Sequence, residues 1–203
     1  MTAPAPILNI LAGPNGAGKT TLYEVTLSRF TTAEYVNPDR LAFAALGRHA
    51  RTREEAELGQ ALANARRDAL MSAGESLVTE STFSHPSKLD LVRRAKALGY
   101  QVAVYHVNVG SADFAVSRVA AREADGGHPV PEANIRARYE RNQPLIREAV
   151  LMADRAFVFD NSAIGAPPRR LITFVGGQAT NVAADLPAWA RALYGGEVAQ
   201  ARG

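Results

Sequence analysis

The sequence predicts an α/β fold: a central parallel sheet flanked by helices, with an arginine-rich lid. Three observations carry this expectation. Short apolar runs alternate with longer helical patterns along the whole chain, the alternation that builds strand–helix–strand crossover units. The first apolar run ends in the glycine-rich string Gly13-Pro-Asn-Gly16-Ala-Gly18-Lys19-Thr20. Arginines cluster between Arg118 and Arg147 on either side of a Gly126-Gly-His-Pro129 break.

The elements follow in order. Ile7–Ala12 is the first strand, and the helical pattern Lys19–Phe30 starts where the glycine-rich string ends. Tyr35–Asn37 is a short strand, followed by helices at Arg40–Leu46 and Arg53–Ala73. Ser76–Glu80 is the next strand and Ser87–Leu98 the next helix. Gln101–Val109 is nearly all apolar after its first residue, as a strand buried on both faces must be. Helices at Ala112–Ala124 and Pro131–Asn142 are kept apart by Pro129 and Pro131, which cannot continue a helix. A further helix at Leu145–Ala153, strands at Ala156–Asp160 and Leu171–Val175, a plain turn at Gly176-Gly-Gln178 and a helix at Pro187–Leu193 complete the chain. Residues 1–6 and 196–203 read as frayed ends. No linker divides the chain, so 1–203 is expected to be one domain with a lid insertion at about 118–142.

Composition narrows the function. The 203 residues are 47% hydrophobic and 21% charged, with no cysteine. Disulfides and thiolate metal sites are excluded, and the four histidines lack metal-ligand spacing. The apolar run at 7–12 is too short for a membrane span or a signal-peptide core, so a soluble cytoplasmic protein is expected. A net charge of +3 and 7% aromatic residues without basic–aromatic interleaving do not suggest a nucleic-acid partner.

The glycine-rich string fits G-x-x-x-x-G-K-[ST], the phosphate cradle that follows a strand and opens a helix. Glycines let backbone N–H groups turn toward phosphate oxygens, and the helix N-terminus adds a positive dipole end. Lys19 is therefore expected on the β/γ-phosphates of ATP and the Thr20 hydroxyl on Mg²⁺. Gly13, Asn15, Gly16, Ala17, Gly18 and Thr21 are expected around the same nucleotide. The fold is then a P-loop NTPase of the small-molecule kinase type. Ser87-Lys-Leu-Asp90 opens a helix instead of following a strand, so it is not a guanine reader.

In order, the cradle, Val36-Asn-Pro-Asp39-Arg40, Glu80-Ser-Thr82-Phe, the arginine segment and Asp160-Asn161-Ser162 resemble the zeta-toxin family of P-loop kinases over residues 7–162. The resemblance implies an ATP-dependent phosphotransferase acting on a hydroxyl, with UDP-N-acetylglucosamine as the family's acceptor and an antitoxin protein as a partner. It implies that Asp39 is the acceptor's general base or the group that positions its hydroxyl, and that Glu80 and Thr82 recognise the acceptor. Arg122 and Arg136 would contact the moving phosphoryl group, with Arg118 on the nucleotide, Arg141 on the substrate and Asn161 near the adenine. By helical spacing Arg138 and Arg141 share one face while Arg136 points elsewhere. Two other functions stay open: a nucleic-acid or nucleoside 5′-hydroxyl kinase, and a nucleotide-gated binding protein that transfers nothing.

Overall fold

The computed structural model describes residues 4–124 and 130–202; the side chains of Arg122, Ala124 and Arg202 also fall outside the description. Among the described residues the strands form one seven-stranded sheet: β1 (Ile7–Ala12), β2 (Glu34–Val36), β3 (Leu77–Ser81), β4 (Gln101–Asn108), β5 (Arg155–Asp160), β6 (Arg169–Val175) and β7 (Gln178–Val182). The spatial order is β2-β3-β1-β4-β5-β6-β7. Neighbours from β2 to β5 pair in parallel, while β5–β6 and β6–β7 are antiparallel. The helices are α1 (Lys19–Val25), α2 (Pro38–Leu46), α3 (Arg53–Ser72), α4 (Ser87–Ala97), α5 (Ala112–Ala124), α6 (Glu132–Met152) and α7 (Ala188–Arg202).

β1 lies between β3 and β4, so its side chains are enclosed from both faces. Its period of two assigns Leu8 and Ile10 to the large core and Leu11 to the smaller one beneath α1. The large core takes Ala63 and Leu70 from α3, Val92 from α4, Ile146 from α6 and Tyr194 from α7. A third cluster, Val109, Ala115, Val119, Ile135 and Tyr139, joins α5 to α6 beyond the end of β4.

The structure corrects the sequence-based elements in several places. The sheet is mixed: β6 runs antiparallel to β5, and the turn at Gly176 and Gly177, with φ of 56° and 79°, joins β6 to an antiparallel β7. β7 went unseen because Gln-Ala-Thr-Asn-Val is a polar edge strand burying only Ala179 fully. The tail at 196–202 is helical, since Ala190, Tyr194 and Val198 recur every four residues and enter the core. Helix α6 runs unbroken through Pro144. Proline in a helix interior costs about 3 kcal/mol, and the buried face of Tyr139, Asn142, Ile146 and Ala149 on both sides of it outweighs that.

Helix α1 ends earlier than expected, at Val25, and passes into a 3₁₀ turn at Leu27–Arg29. Helix α2 begins two residues earlier, at Pro38. Asn37 is its cap: the side-chain oxygen accepts from the amides of Asp39 at 2.8 Å and Arg40 at 3.1 Å, and Pro38 sits at the first helical position. Among the described residues no helix is long and apolar enough to cross a membrane.

Candidate functional site

The ends of β1, β3 and β4 converge at the C-terminal edge of the sheet, the edge where open α/β sheets bind ligands. The loop from Gly13 to Gly18 leaves β1 there and enters α1. Gly18 has φ of 91°, and a Cβ on it would lie 2.2 Å from Nδ2 of Asn161. Only glycine fits both conditions. Asn161 in turn donates to the Ala17 carbonyl at 2.8 Å, and its own amide donates to Asn108 at 2.8 Å. The β5 loop therefore fastens the cradle to the end of β4. The resemblance implies a place near the adenine for Asn161; in the structure its side chain bonds the loop backbone at Ala17.

Lys19 is 6% exposed, and its ammonium donates to the carbonyls of Gly13 and Pro14, each at 3.0 Å. It lies 3.7 Å from Oε1 of Glu80. The other oxygen of Glu80 accepts from the Thr20 hydroxyl at 3.0 Å, from Tyr35 at 2.5 Å and from the Asn37 amide at 3.2 Å. Burial first, and then the Glu80 charge, push the Tyr35 phenol far above its usual range. It stays protonated and donates to Glu80. Thr21 is exposed on the first turn of α1.

Asp39 occupies the first turn of α2, exposed to solvent, and its carboxylate makes no hydrogen bond or ion pair with a described residue. The helix needs it little, because Asn37 is the cap. Thr82 hydrogen-bonds Ser84 at 3.3 Å, and its carbonyl accepts from Asn142 of α6. Phe83 is left-handed at φ 54° and fully buried. A bulky residue rarely adopts that backbone, and such strain gathers at functional turns. It folds the chain sharply after Thr82.

The lid arginines separate into two groups. Arg118 on α5 stacks over Phe114, reaches the Ala163 carbonyl at 3.4 Å and lies within reach of Gly18. Arg138 on α6 donates to the side chain of Asn15 in the cradle at 3.4 Å. Burial and the neighbouring Arg141 charge both push the Arg138 pKa down. Arg136 points away, into ion pairs with Asp113 at 2.5 Å and Glu132 at 2.8 Å. The side chain of Arg122 and most of the expected lid tip at 126–130 lie outside the described residues.

Sequence reasoning did not single out Tyr35, Asn37 or Arg138. Arg138 had a signal in its shared face with Arg141, and Asn37 in the Asn-x-Asp string. Nothing in the sequence marks Tyr35 as Glu80's partner. A cavity of about 980 Å³ lies at the opposite edge, lined by Pro4, Phe30, Glu34 and Arg66 among others, away from all of this chemistry. Among the described residues no three acidic, histidine or cysteine side chains are grouped to hold a metal.

The Zeta toxin family model matches residues 1–164. No curated protein matches the chain in sequence. Among solved structures, a chain of the AvrRxo1-ORF1:-ORF2 complex with ATP is similar at a TM-score of 0.64 and 18% identity, over 87% of this chain and 60% of that one. A chain of the PezAT toxin–antitoxin system of Streptococcus pneumoniae gives 0.61 and 16%, over 79% and 70%. A chain of the Pnkp1/Rnl/Hen1 RNA repair complex gives 0.58 and 21%, over 72% and 47%. The chain thus spans about 60% of the length of the AvrRxo1 chain it resembles. These likenesses establish the P-loop kinase fold.

Proposed function

We propose that this chain, which belongs to the Zeta toxin family, is an ATP-dependent phosphotransferase of P-loop kinase type that moves the γ-phosphoryl group of ATP onto a hydroxyl of a small metabolite. A nucleotide sugar such as UDP-N-acetylglucosamine is the first acceptor to try. One observation carries the reading: an exposed, uncommitted carboxylate, Asp39, lies two residues after Asn37, whose side chain shares Glu80 with Thr20 of the cradle. A protein that only switches on nucleotide has no use for such a group.

The cradle fits ATP. Two carbonyls confine the Lys19 ammonium to the loop without neutralising it, and Arg118 and Arg138 close on the loop from two helices. The donors fit Mg²⁺, which takes hard oxygens and typically one or two carboxylates together with phosphate. Thr20 would be the direct protein ligand, and Glu80 would hold the Thr20 hydroxyl in place. Bound there, Mg²⁺ neutralises charge between the phosphates. Glu80 serves the cradle in this reading more than it serves the acceptor.

The chain's own residues divide the remaining work. Lys19 and Arg138 stabilise charge on the transferring oxygens. Asp39 orients the acceptor hydroxyl and takes its proton as the O–P bond forms. Asn161 keeps the cradle rigid. An antitoxin partner, the relation named for the PezAT system, would act by covering this same edge. The test is a metabolite screen for acceptor-dependent ADP release, with UDP-N-acetylglucosamine and a 5′-hydroxyl oligonucleotide included. Release that rises with one small acceptor supports the reading; release independent of every acceptor overturns it.

A further inference from the structure

Helix α7 lies beyond residue 164, where the match to the Zeta toxin family ends, yet its first turn reaches the edge of the sheet that carries the cradle. Trp189, the chain's only tryptophan, is half-buried there. Its indole Nε1–H donates to Oδ1 of Asp160 at 3.0 Å, and the Ser162 hydroxyl donates to the same oxygen at 2.7 Å. The indole also makes a T-shaped contact with the buried ring of His106, with centroids 5.5 Å apart and planes at 68°. Tryptophan thus has its apolar body on β4 and its polar handle on the end of β5, the use to which a buried indole is suited.

What that bond holds is decided by the next residue. Asp160 ends β5 and Asn161 follows it, donating from its side chain to the Ala17 carbonyl at 2.8 Å and from its amide to Asn108 at 2.8 Å. The Ala17 carbonyl and the Gly18 N–H belong to one planar trans peptide, so they point opposite ways. By gripping the carbonyl, Asn161 also aims the Gly18 amide. The fit leaves no slack, since a Cβ on Gly18 would lie 2.2 Å from Nδ2 of Asn161. A small rotation at the end of β5 would therefore turn one of the amides with which such a loop meets phosphate.

We propose that Trp189 is a positioning residue for the nucleotide site: its bond to Asp160 fixes the end of β5, and Asn161 passes that constraint to the Ala17–Gly18 peptide of the cradle. The inference rests on the reading of the cradle as an ATP site, and it adds to that site a helix that the cradle motif does not contain. The coupling runs both ways. Whatever α7 contributes to nucleotide affinity, bound nucleotide returns as tighter docking of Trp189.

The test uses the whole chain and needs no turnover. With one tryptophan in the sequence, indole fluorescence reports on Trp189 alone. ADP with Mg²⁺ is titrated into the wild-type chain, and calorimetry measures its binding in parallel. Trp189 emission should change along the calorimetric curve, and acrylamide should quench the indole less in the bound state. Trp189→Phe keeps an aromatic ring for His106 and removes the Nε1 donor. Its Kd for ADP should rise about 2–30-fold, the range over which residues along a coupled network act. Tyr194→Phe is the control, because it removes a different α7 hydrogen bond, the one with Nδ1 of His106 at 2.8 Å, and should bind ADP as the wild type does. Equal changes of Kd in the two variants, or emission and quenching unmoved at saturating ADP, overturn the proposal. Should Trp189→Phe fail to fold, the wild-type fluorescence decides alone. The two readings fail separately: ADP bound with Trp189 silent removes the role of α7 and keeps the ATP site, whereas a wild-type chain that binds no nucleotide in the calorimeter removes both.

Discussion

Glu80→Gln separates a cradle role for Glu80 from acceptor recognition. One carboxylate oxygen accepts from Thr20, Tyr35 and Asn37 at 3.0, 2.5 and 3.2 Å, and Lys19 lies 3.7 Å from the other. Hydrogen bonds to a charged acceptor contribute about 1.5–3 kcal/mol and neutral ones about 0.5–1.5. Glutamine keeps the shape and removes the charge, so each bond loses about 1 kcal/mol and the three together about 3 kcal/mol. For a chain of this size that lowers Tm by about 6–12 °C. The Thr20 hydroxyl also loses its charged anchor. Outer-sphere partners of a metal ligand typically govern 10–100-fold in metal affinity, so half-maximal activity should need about 10–100-fold more free Mg²⁺. The assay is ADP release against free Mg²⁺ at saturating ATP, beside a thermal melt. Unchanged Mg²⁺ dependence and Tm, with only the acceptor KM raised, would refute the reasoning and return Glu80 to acceptor recognition.

Three further outcomes are expected. Arg138→Ala should lower kcat about 10²–10³-fold, the usual cost of one charge-stabilising donor, while Arg136→Ala stays near wild type; equal losses in both would contradict the placement of the two arginines. Asn161→Ala leaves the buried Ala17 carbonyl without its donor and should cost about 1–3 kcal/mol of stability in urea melts, with weaker ATP binding. His106 is fully buried on Tyr194, and burial pushes its pKa down to about 3 from 6.5. The unfolded chain therefore binds a proton below pH 6.5 that the folded chain refuses. Stability should fall by up to about 1.4 kcal/mol per pH unit as pH drops from that value toward 3. Urea midpoints at several pH values should show a shallower decline for His106→Gln, and an identical decline would count against it.

The strand–loop–helix unit from β1 to α1 was legible because its signals are local. The cradle needs a strand, glycines, a lysine and a helix start within a few residues, and β1 through α1 supply them in sequence. The missing parts depend on approach between distant segments. Tyr35 meets Glu80 only because β2 pairs with β3, and a tyrosine in a short apolar run looks like any core aromatic. Arg138 and Arg136 are two residues apart on one helix; the spacing showed that they diverge, but which face meets Asn15 depends on how α6 packs across β4. The C-terminal hairpin failed for another reason. An edge strand faces solvent, so β7 lacks the apolar run that marks the others. Pro144 gave the opposite error: a local break signal overridden by the packing of α6 on both sides.

Phosphoryl transfer to a small acceptor, with Asp39 at the hydroxyl, is the step on which the proposed function stands. It is tested most directly by following label from γ-³²P-ATP into fractionated metabolites, with the wild-type chain and with Asp39→Asn. Label is expected in one phosphorylated metabolite, with ADP release that depends on that acceptor. Asp39→Asn should slow the transfer about 10²–10⁴-fold while ATP binds as before, because the cradle does not use Asp39. ATP hydrolysed at one rate with or without every fraction, or transfer that Asp39→Asn leaves intact, would contradict it.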